Sequence, residues 1–389
     1  MMCDVGLPCD YDPCSCPKPP PVPGRKFTTL LLHCWQREYD KRPYKNFQFR
    51  RLDFEERMNR KYHCLRDFRV IVRYLTECHK MHSVSISSIV ISNWETRIMR
   101  EFVRALRKVM QIELKLMKLP YEFFVMMRLS ASVWKVTHLS LEGTPLSDLD
   151  VSMLREFLLA SETLLSLNVN HCGLTQYNFC LIADGVYKSK TVNCLNASRL
   201  LGLQLSLDTE KMVSIIGSLL MQNGLVELTM QQCEFSAQDM EVIGEYLGSK
   251  QSVLRKLNLA SNHIAADGAL YLMRNLAHGV RLEHLDISCN SIGTHGGEWI
   301  AKYLSSCRLL QHLYINYNEI GAEAINLILL TLKKPCKMKR LNIYGNHFDA
   351  RTAMILRRLL DSEVVLHEEI DVSYTFDEDL NDYRVVPWR

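Results

Sequence analysis

Few side chains in this sequence have the type and spacing that metal binding or proton transfer requires. Three thiols, those of Cys9, Cys14 and Cys16, lie near the start of the chain, and two imidazoles, those of His284 and His312, lie in its second half. Thiolates and imidazoles are common ligands of zinc in proteins. The cysteines lack the paired C-x-x-C spacing of structural zinc sites, so we expect exposed thiols there rather than a metal.

The usual sequence signatures of enzymes are missing. No G-x-x-x-x-G-K-[ST], G-x-G-x-x-G, H-E-x-x-H or C-x-x-C pattern occurs along the 389 residues. Such patterns supply phosphate-binding loops, catalytic zinc ligands and redox-active thiols. The sequence therefore predicts a protein that is not an enzyme and that needs no cofactor or metal.

A regular internal repeat is the dominant feature of the sequence. The pattern L-x-x-L-x-[LI]-x-x-N-x-[IF] occurs four times in succession, in copies that begin at Leu254, Leu282, Leu310 and Met338. Its first three apolar positions alternate as in a short strand with one buried face. The polar position is filled by Asn262, Asn290, Asn318 and Asn346. A buried carboxamide at that point can bind backbone groups of the adjoining turns, so we expect these asparagines to be structural.

Each predicted strand is followed by an amphipathic helix. Sets such as Ala269, Leu272 and Leu276 recur with the same period and mark one apolar helix face. Alternating strands and helices require a parallel sheet. Because strands pack about 4.8 Å apart and helices about 8 to 10 Å apart, the stack should curve with its sheet inside. The predicted fold is an α/β horseshoe solenoid with a parallel β-sheet on the concave face, helices on the convex face and a helical N-terminal cap.

Further copies of the pattern lie upstream. Three of them begin at Val136, Leu164 and Leu225. Cys172 and Cys233 fill the polar position of two of these copies, where a thiol can replace the amide because it is small, often buried and a weak donor. A copy that opens at Val192 is degenerate, and the copy after it begins later than the period predicts. Two looser candidate copies consist of Ile86, Ile89, Ile91 and of Leu114, Met117, Leu119.

The L-x-x-L-x-L-x-x-[NC]-x-L core, with a full helix and a period of about 28 residues, resembles the ribonuclease-inhibitor-like class of leucine-rich repeats. The resemblance covers residues 136–360 and is specific for the fold. Relatives in this class include ribonuclease inhibitor, the ligand-sensing ends of innate immune receptors, a GTPase-activating protein, and intracellular proteins of cilia, centrosomes and sperm flagella. The resemblance implies a recognition surface for another protein and does not say which one.

Composition favours an intracellular protein. The start of the chain carries Asp4, Asp10, Asp12 and many prolines where a signal peptide needs an apolar core. No run of about 18 apolar residues occurs, so no membrane span is expected. The 14 cysteines would then lie in a reducing compartment, where buried thiols act as small apolar groups. We expect a cytoplasmic protein and, from the resemblance, a component of a cilium, flagellum or centrosome.

The sequence divides into four predicted regions. Residues 1–25 form a Cys- and Pro-rich leader that we expect to be disordered. Residues 26–135 form a basic, mostly helical N-terminal region and cap, and residues 136–360 form the repeats. Residues 361–389 form a C-terminal cap and tail. An edge strand is predicted in this tail from the alternation of Ile370, Val372, Tyr374 and Phe376.

The N-terminal region carries most of the positive charge. Residues 24–80 hold 15 lysines and arginines against 7 acidic residues, whereas the whole chain has a net charge of +4. Cations with interspersed aromatic rings suit nucleic acid. Acidic residues are interspersed as well and the rings have helical spacing, so we favour a packed cap with a solvated basic face. Helices are expected over residues 52–78 and 96–128. An acidic partner such as the tubulin lattice would suit this face, and nucleic acid is the less favoured partner.

The exposed strand positions of the last copies form the predicted binding surface for a partner protein. Three tyrosines over two adjacent strands, rimmed by polar groups, would supply a large contact area at low entropy cost. The predicted partner-binding residues are Asp286, His312, Tyr314, Asn316, Tyr317, Arg340, Asn342 and Tyr344. His284 and His312 occupy the same position of successive copies and should lie about 5 Å apart on neighbouring strands, near Asp286, which suits a metal or pH-sensing site. Ordinary surface polarity is the favoured interpretation of that pair.

The favoured function is a non-catalytic intracellular adaptor whose concave face binds a protein. Two alternatives stay open: regulation of a small GTPase, by similarity to the GTPase-activating relative, and nucleic-acid binding by the basic N-terminal region. A shorter resemblance joins Leu119-Pro120-Tyr121-Glu122 and Trp134 to the start of an F-box. That stretch is too short for the three-helix domain of the F-box family.

Overall fold

The chain folds as two units, each built from alternating strands and helices. The first unit comprises Met1–Gly173 with Ser189–Thr191, and the second comprises Leu174–Lys188 with Val192–Arg389. The structure, a computed structural model, describes residues 37, 46–50, 65–77, 81–88, 95–200, 208–222, 224–332, 338–378 and 382–388. The predicted leader, residues 1–25, lies outside the described residues.

The described residues of the first unit contain five parallel strands that pair in chain order. These strands are β1 (Asn46–Arg50), β2 (Ser83–Ser87), β3 (Gln111–Lys115), β4 (His138–Ser140) and β5 (Ser166–Asn168). The helices of this unit are α1 (Leu65–Glu77), α2 (Thr96–Leu106), α3 (Tyr121–Leu129) and α4 (Asp148–Ala160). Ser147 and Asp150 form a capping box that starts α4, because each side chain accepts the other residue's backbone N–H.

The first three strands lie where the sequence predicts a mostly helical cap. β1, β2 and β3 fall within residues 26–135 and continue the parallel pairing upstream of β4. The helix predicted over residues 96–128 is instead α2 and α3 with β3 between them. Met110, which the predicted helix would include, follows the end of α2 and is 38% exposed. Of the helix predicted over residues 52–78, the structure describes α1, and residues 51–64 lie outside the described part.

The segment that resembles the start of an F-box belongs to the strand-helix packing of the first unit. Pro120 is the N-cap of α3, where its missing N–H costs no helical hydrogen bond. Trp134 is buried and packs edge-on against Phe157 of α4, with ring centroids 5.8 Å apart. These residues therefore contribute to the core of the first unit.

The second unit continues the alternation of helix and parallel strand. Its parallel strands are β6 (Cys194–Asn196), β7 (Glu227–Thr229), β8 (Lys256–Asn258), β9 (His284–Asp286), β10 (His312–Tyr314) and β11 (Arg340–Asn342). Its helices are α5 (Gln176–Lys188), α6 (Thr209–Gln222), α7 (Ala237–Gly248), α8 (Ala265–Ala277), α9 (Gly293–Leu304), α10 (Ala322–Thr331) and α11 (Ala350–Asp361).

The core lies between the sheet and the helices. The middle residue of each strand from β6 to β11 is buried, and its two neighbours are more accessible on the other face. Helix α9 approaches α10 so closely that a Cβ at Gly297 would lie 2.9 Å from Ala324 Cβ of α10 and 2.4 Å from Ile320 Cγ2 just before it, so only glycine fits without a shift. The predicted class, a parallel α/β repeat solenoid with strands on one face and helices on the other, is confirmed in each unit. Among the described helices none is long and apolar enough to cross a membrane.

Four asparagines form a ladder of side-chain hydrogen bonds through the second unit. Asn290 is fully buried, and its Oδ1 accepts from the backbone N–H groups of Asn262 at 3.0 Å and Ile264 at 3.4 Å. Its Nδ2 donates to the carbonyl oxygen of Leu259 at 3.0 Å. Asn262, Asn318 and Asn346 repeat this arrangement. Each carboxamide thus binds backbone groups of the preceding repeat that would otherwise be buried without partners.

Thiols and a hydroxyl occupy the same position in other repeats. Cys172 Sγ donates to the Leu141 carbonyl at 3.1 Å, and Cys233 Sγ donates to the Gln231 carbonyl at 3.3 Å. Burial raises the pKa of Cys172 to about 12 and the pKa of Cys233 to about 11, so both thiols keep their proton at neutral pH. Thr144 is also buried; its Oγ1 donates to the Leu114 carbonyl at 2.7 Å and accepts from the Met117 N–H at 3.1 Å.

An antiparallel hairpin follows the last repeat. Its strands are β12 (Val372–Asp377) and β13 (Asp382–Pro387). The predicted edge strand begins at Ile370, but Ile370 makes only an isolated parallel bridge to Leu341 of β11. The chain then turns into the hairpin, so the alternation continues as β12, where Val372 is buried and Phe376 is 46% exposed.

Candidate functional site

The candidate site is the sheet surface of the second unit that faces away from the helices. Strands β8 to β11 pair in register, so their first residues form one row and their third residues form another. The first row consists of Lys256, His284, His312 and Arg340. The second row consists of Asn258, Asp286, Tyr314 and Asn342. We call these two rows, together with the residues that follow β10 and β11, the open face; the added residues are Asn316, Tyr317 and Tyr344.

The three predicted tyrosines lie on or just after neighbouring strands of the open face. Tyr314 is half-buried on β10, whereas Tyr317 is 56% exposed and Tyr344 is 38% exposed. The rings of Tyr317 and Tyr344 meet edge-to-face with centroids 5.8 Å apart. Gly345 has φ +83°, and a Cβ there would lie 2.3 Å from the Tyr317 ring. Glycine therefore allows the Tyr317 ring to lie against the backbone of the next repeat.

The C-terminal segment already binds part of the predicted surface. Asn316 Nδ2 donates to Asp371 Oδ2 at 2.6 Å. The Arg340 guanidinium donates to Asn342 Oδ1 at 2.9 Å and to the Glu368 carbonyl at 2.7 Å. With Asp286, which accepts from the Asn258 amide, four of the predicted residues thus have partners within the chain. The side chains of Tyr314, Tyr317, Tyr344 and His312 make no hydrogen bond with any other described residue.

Two histidine rings of the first row are stacked. His284 and His312 are direct partners in the register of β9 and β10, and their ring centroids lie 3.9 Å apart with planes inclined by 4°. Burial lowers the pKa of His284, and His312 lowers it further. Burial also lowers the pKa of His312, helped by the positive charges of Lys339 and Arg340. Both imidazoles are therefore held toward their neutral form.

A metal site is not built around this pair. Asp286, which would have to supply a third ligand, accepts a hydrogen bond from Asn258 Nδ2 at 3.0 Å. In the part of the chain that the structure describes, no group of three or more His, Cys, Asp or Glu residues is placed to hold a metal ion. The cluster of Cys9, Cys14 and Cys16 lies outside the described residues, as does most of the basic stretch over residues 25–80.

The lowered histidine pKa values predict an acid-sensitive stability. Unfolding returns each imidazole to a pKa near 6.5, so the unfolded chain binds more protons than the folded chain below that pH. The contribution of the two histidines to the free energy of unfolding is fully present above pH 6.5. It is lost as the pH falls from 6.5 through the lower pKa of the folded chain. We expect the urea midpoint of the wild-type chain to fall over this window by more than that of the His284→Gln, His312→Gln double variant. Equal falls in the two chains would contradict this prediction.

Comparison with protein families finds a known repeat on the strands of this face. The model of the family described as Leucine Rich repeat matches residues 250–273, 282–301 and 306–328. These residues are leucine-rich repeats. The three matched repeats correspond to the copies that begin at Leu254, Leu282 and Leu310, so leucine-rich repeats carry β8, β9 and β10. No curated protein matches the chain.

Asp371 is the residue at this leucine-rich-repeat surface that sequence reasoning did not single out. Its carboxylate accepts from the backbone N–H groups of Ile343 at 2.8 Å and Tyr344 at 3.2 Å, besides the Asn316 amide. It lies one full period after Ile343, so the period places it beside the last repeat. In the sequence it is an acidic residue at the third apolar position of a copy that otherwise lacks the pattern.

Proposed function

We propose that the chain is a non-catalytic scaffold or adaptor whose open face binds a partner protein. The tyrosine cluster of Tyr314, Tyr317 and Tyr344 is the observation that carries this proposal. Two of its rings are well exposed although tyrosine is apolar over most of its surface, and its hydroxyls make no hydrogen bond with the described residues. The matched leucine-rich repeats include Tyr314 and Tyr317.

The geometry of the cluster suits a binding hot spot. Interfaces concentrate their affinity in a few aromatic or arginine anchors surrounded by polar groups that exclude water. Tyr317 and Tyr344 pack on each other, so little side-chain freedom is left to lose on binding. The neighbouring Asn316, Arg340 and Asn342 are held by hydrogen bonds within the chain and form a preorganised polar rim.

Replacing the exposed tyrosines should remove partner binding. We expect Tyr317→Ala with Tyr344→Ala to weaken the affinity for the partner at least about 30-fold, since hot-spot truncations typically cost about 2 kcal/mol or more. Proteins captured by the full chain from its native cells would be identified by mass spectrometry, and the affinity of the purified partner would then be measured by calorimetry.

Tyr177→Ala is the matched control, because Tyr177 is 60% exposed but lies on helix α5. A partner that is lost with the open-face variant and kept with Tyr177→Ala supports the proposal. A set of partners that both variants bind as tightly as the wild-type chain would overturn it.

The resemblance of the repeat to ciliary and flagellar proteins supports an extension of this proposal. We infer an intracellular role in which the scaffold is part of a cilium, flagellum or centrosome. Imaging of the tagged full chain in ciliated cells tests this extension. If the tagged chain is absent from the axoneme, the basal body and the centrosome, the extension is wrong and the binding proposal is unaffected.

A further inference from the structure

The stacked histidine pair of the open face has unused hydrogen-bonding capacity. Parallel strands in register place identical side chains above one another, which explains why His284 and His312 lie face to face at 3.9 Å. Neither ring nitrogen of either residue has a hydrogen-bond partner among the described residues. Both residues are half-buried, so their ring edges reach solvent.

The charges around the pair leave a surplus of positive charge. Two acidic side chains lie nearby, and each is engaged by a cation: Glu227 pairs with Lys256 at 2.5 Å, and Glu283 pairs with Arg255 at 2.6 Å. On the other side, Arg340 donates to a carbonyl and an amide oxygen instead of a carboxylate.

Two further charged side chains, those of Lys339 and Asp286, belong to the surroundings of the histidine pair. Lys339 is exposed and forms no ion pair with any described residue. Asp286, a further acidic residue of β9, accepts a hydrogen bond from the Asn258 amide at 3.0 Å. Two cations without an acidic partner, Arg340 and Lys339, therefore stand against one carboxylate without a cationic partner, that of Asp286, and this positive surplus favours an anion from outside the chain.

We propose that the His284–His312 pair receives a carboxylate of the partner protein and that this contact takes up one proton. The inference rests on the proposed binding function of the open face and names the chemistry of the partner: an acidic protein segment. In the free chain both rings are held toward the neutral form, because burial and neighbouring cations lower the pKa of each. A bound carboxylate supplies the missing negative charge, so one ring becomes an imidazolium that donates to it, while the other ring stays neutral and stacks on the cation.

The direction of the pH dependence follows from this linkage. The carboxylate raises the histidine pKa in the complex, so the complex binds more protons than the free chain at mildly acidic pH. The affinity should be constant where both states are neutral and should increase as the pH falls. A rise of one pKa unit on binding corresponds to a tenfold lower Kd at low pH.

Blocked hexaglutamate, acetylated and amidated at its ends, is a suitable probe for the purified full chain. Histidines labelled with carbon-13 at Cε1 report both protonation and contact by NMR. We expect the His284 and His312 resonances to move toward their protonated positions when the peptide is added at pH 6.5. The Kd for the peptide, measured by fluorescence anisotropy, should be about tenfold lower at pH 5.5 than at pH 7.5.

Two variants sharpen the test. The double variant His284→Gln, His312→Gln should lose the pH-dependent part of the affinity. His138→Gln should keep it: His138 is the first residue of β4 in the first unit, and its Nδ1 lies 2.9 Å from the Thr137 hydroxyl. Peptide bound to the basic stretch over residues 24–80 would persist in the double variant and would leave the two histidine resonances unmoved.

Three outcomes would overturn the inference. These are unmoved His284 and His312 resonances, a pH dependence that survives in the double variant, and stronger movement of the same resonances with hexathymidylate, which would indicate a phosphate ligand. Each is separable from failure of the proposed function, because that function is tested by the Tyr317 and Tyr344 substitutions with the native partner. If the tyrosine variant loses the native partner and the histidine resonances do not respond to the peptide, the inference is wrong and the proposed function stands.

Discussion

Asn290→Ala is expected to destabilise the second unit by about 4 kcal/mol, the largest effect we predict for a single substitution. The Asn290 carboxamide is fully buried and makes four hydrogen bonds to backbone groups. Alanine would leave the N–H groups of Asn262 and Ile264 buried without acceptors, whereas the Leu259 carbonyl would keep the Asn262 amide as a donor at 2.7 Å. Each unsatisfied buried group costs about 1 to 3 kcal/mol. Urea unfolding followed by circular dichroism measures the loss.

Asn290→Cys serves as a graded control. A thiol at the equivalent position of other repeats donates to carbonyls, as Cys172 and Cys233 do, but it is a poor acceptor for the N–H groups. We therefore expect this variant to lie between alanine and the wild type. Hydrogen exchange localises the effect, since the amides of Asn262 and Ile264 should lose protection first. An alanine variant within about 1 kcal/mol of the wild type would show that the ladder is not a major source of stability.

Asp371→Ala is expected to loosen the end of the second unit by about 3 kcal/mol. The carboxylate accepts from two backbone N–H groups of the last repeat, those of Ile343 and Tyr344, and from the Asn316 amide. Hydrogen bonds to a charged acceptor are worth about 1.5 to 3 kcal/mol each. The amides of Ile343 and Tyr344 should therefore exchange about 100-fold faster in the variant, which hydrogen exchange with mass spectrometry can measure.

Glu378→Ala is the matched control for Asp371→Ala. Glu378 carries the same charge and is exposed just after β12, and it makes no hydrogen bond or ion pair with a described residue. Its replacement should leave exchange at Ile343 and Tyr344 unchanged. If both variants accelerate exchange equally, the effect comes from net charge and the proposed role of the Asp371 carboxylate is wrong.

The period in the sequence predicts the strand-helix alternation well, but it misplaces the register upstream. The five key positions of the motif are separated by 3, 2, 3 and 2 residues. When an apolar residue replaces the asparagine, the last three positions therefore have the same spacing as the first three and can be mistaken for the start of a copy. Leu114, Met117 and Leu119 were therefore interpretable as the start of a copy. The structure places β3 at Gln111–Lys115, so Leu114 lies within the strand and Met117, buried at 1% exposure, fills the polar position. The same shift applies to Ile86, which lies within β2.

The sequence predicts which strand residues form the candidate site, but it does not predict which of them are bound by the C-terminal segment. Register alone brings Asp286, Tyr314 and Asn342 into one row, because the period fixes which residues are neighbours. It does not show that the C-terminal segment turns back after Leu366 and binds Arg340 and Asn316 through Glu368 and Asp371. These contacts keep the spacing of the repeat, since Arg340 and Glu368 lie 28 residues apart, as do Ile343 and Asp371, but the segment lacks the apolar and asparagine positions that would mark a further copy.

The asparagine ladder also has a direction, and this bears on how the chain is made. The Asn262 Oδ1 accepts from the N–H of Cys233, and the Asn290 Oδ1 accepts from the N–H of Asn262, so each repeat binds backbone of the repeat before it. A nascent chain emerges from the ribosome with its N-terminus first. Each repeat therefore leaves the ribosome with buried donors still unpaired, and these are satisfied when the next repeat has been synthesised and docks. Translational pauses within a repeat should consequently leave the newest repeat open to chaperones, whereas the repeats before it are already closed.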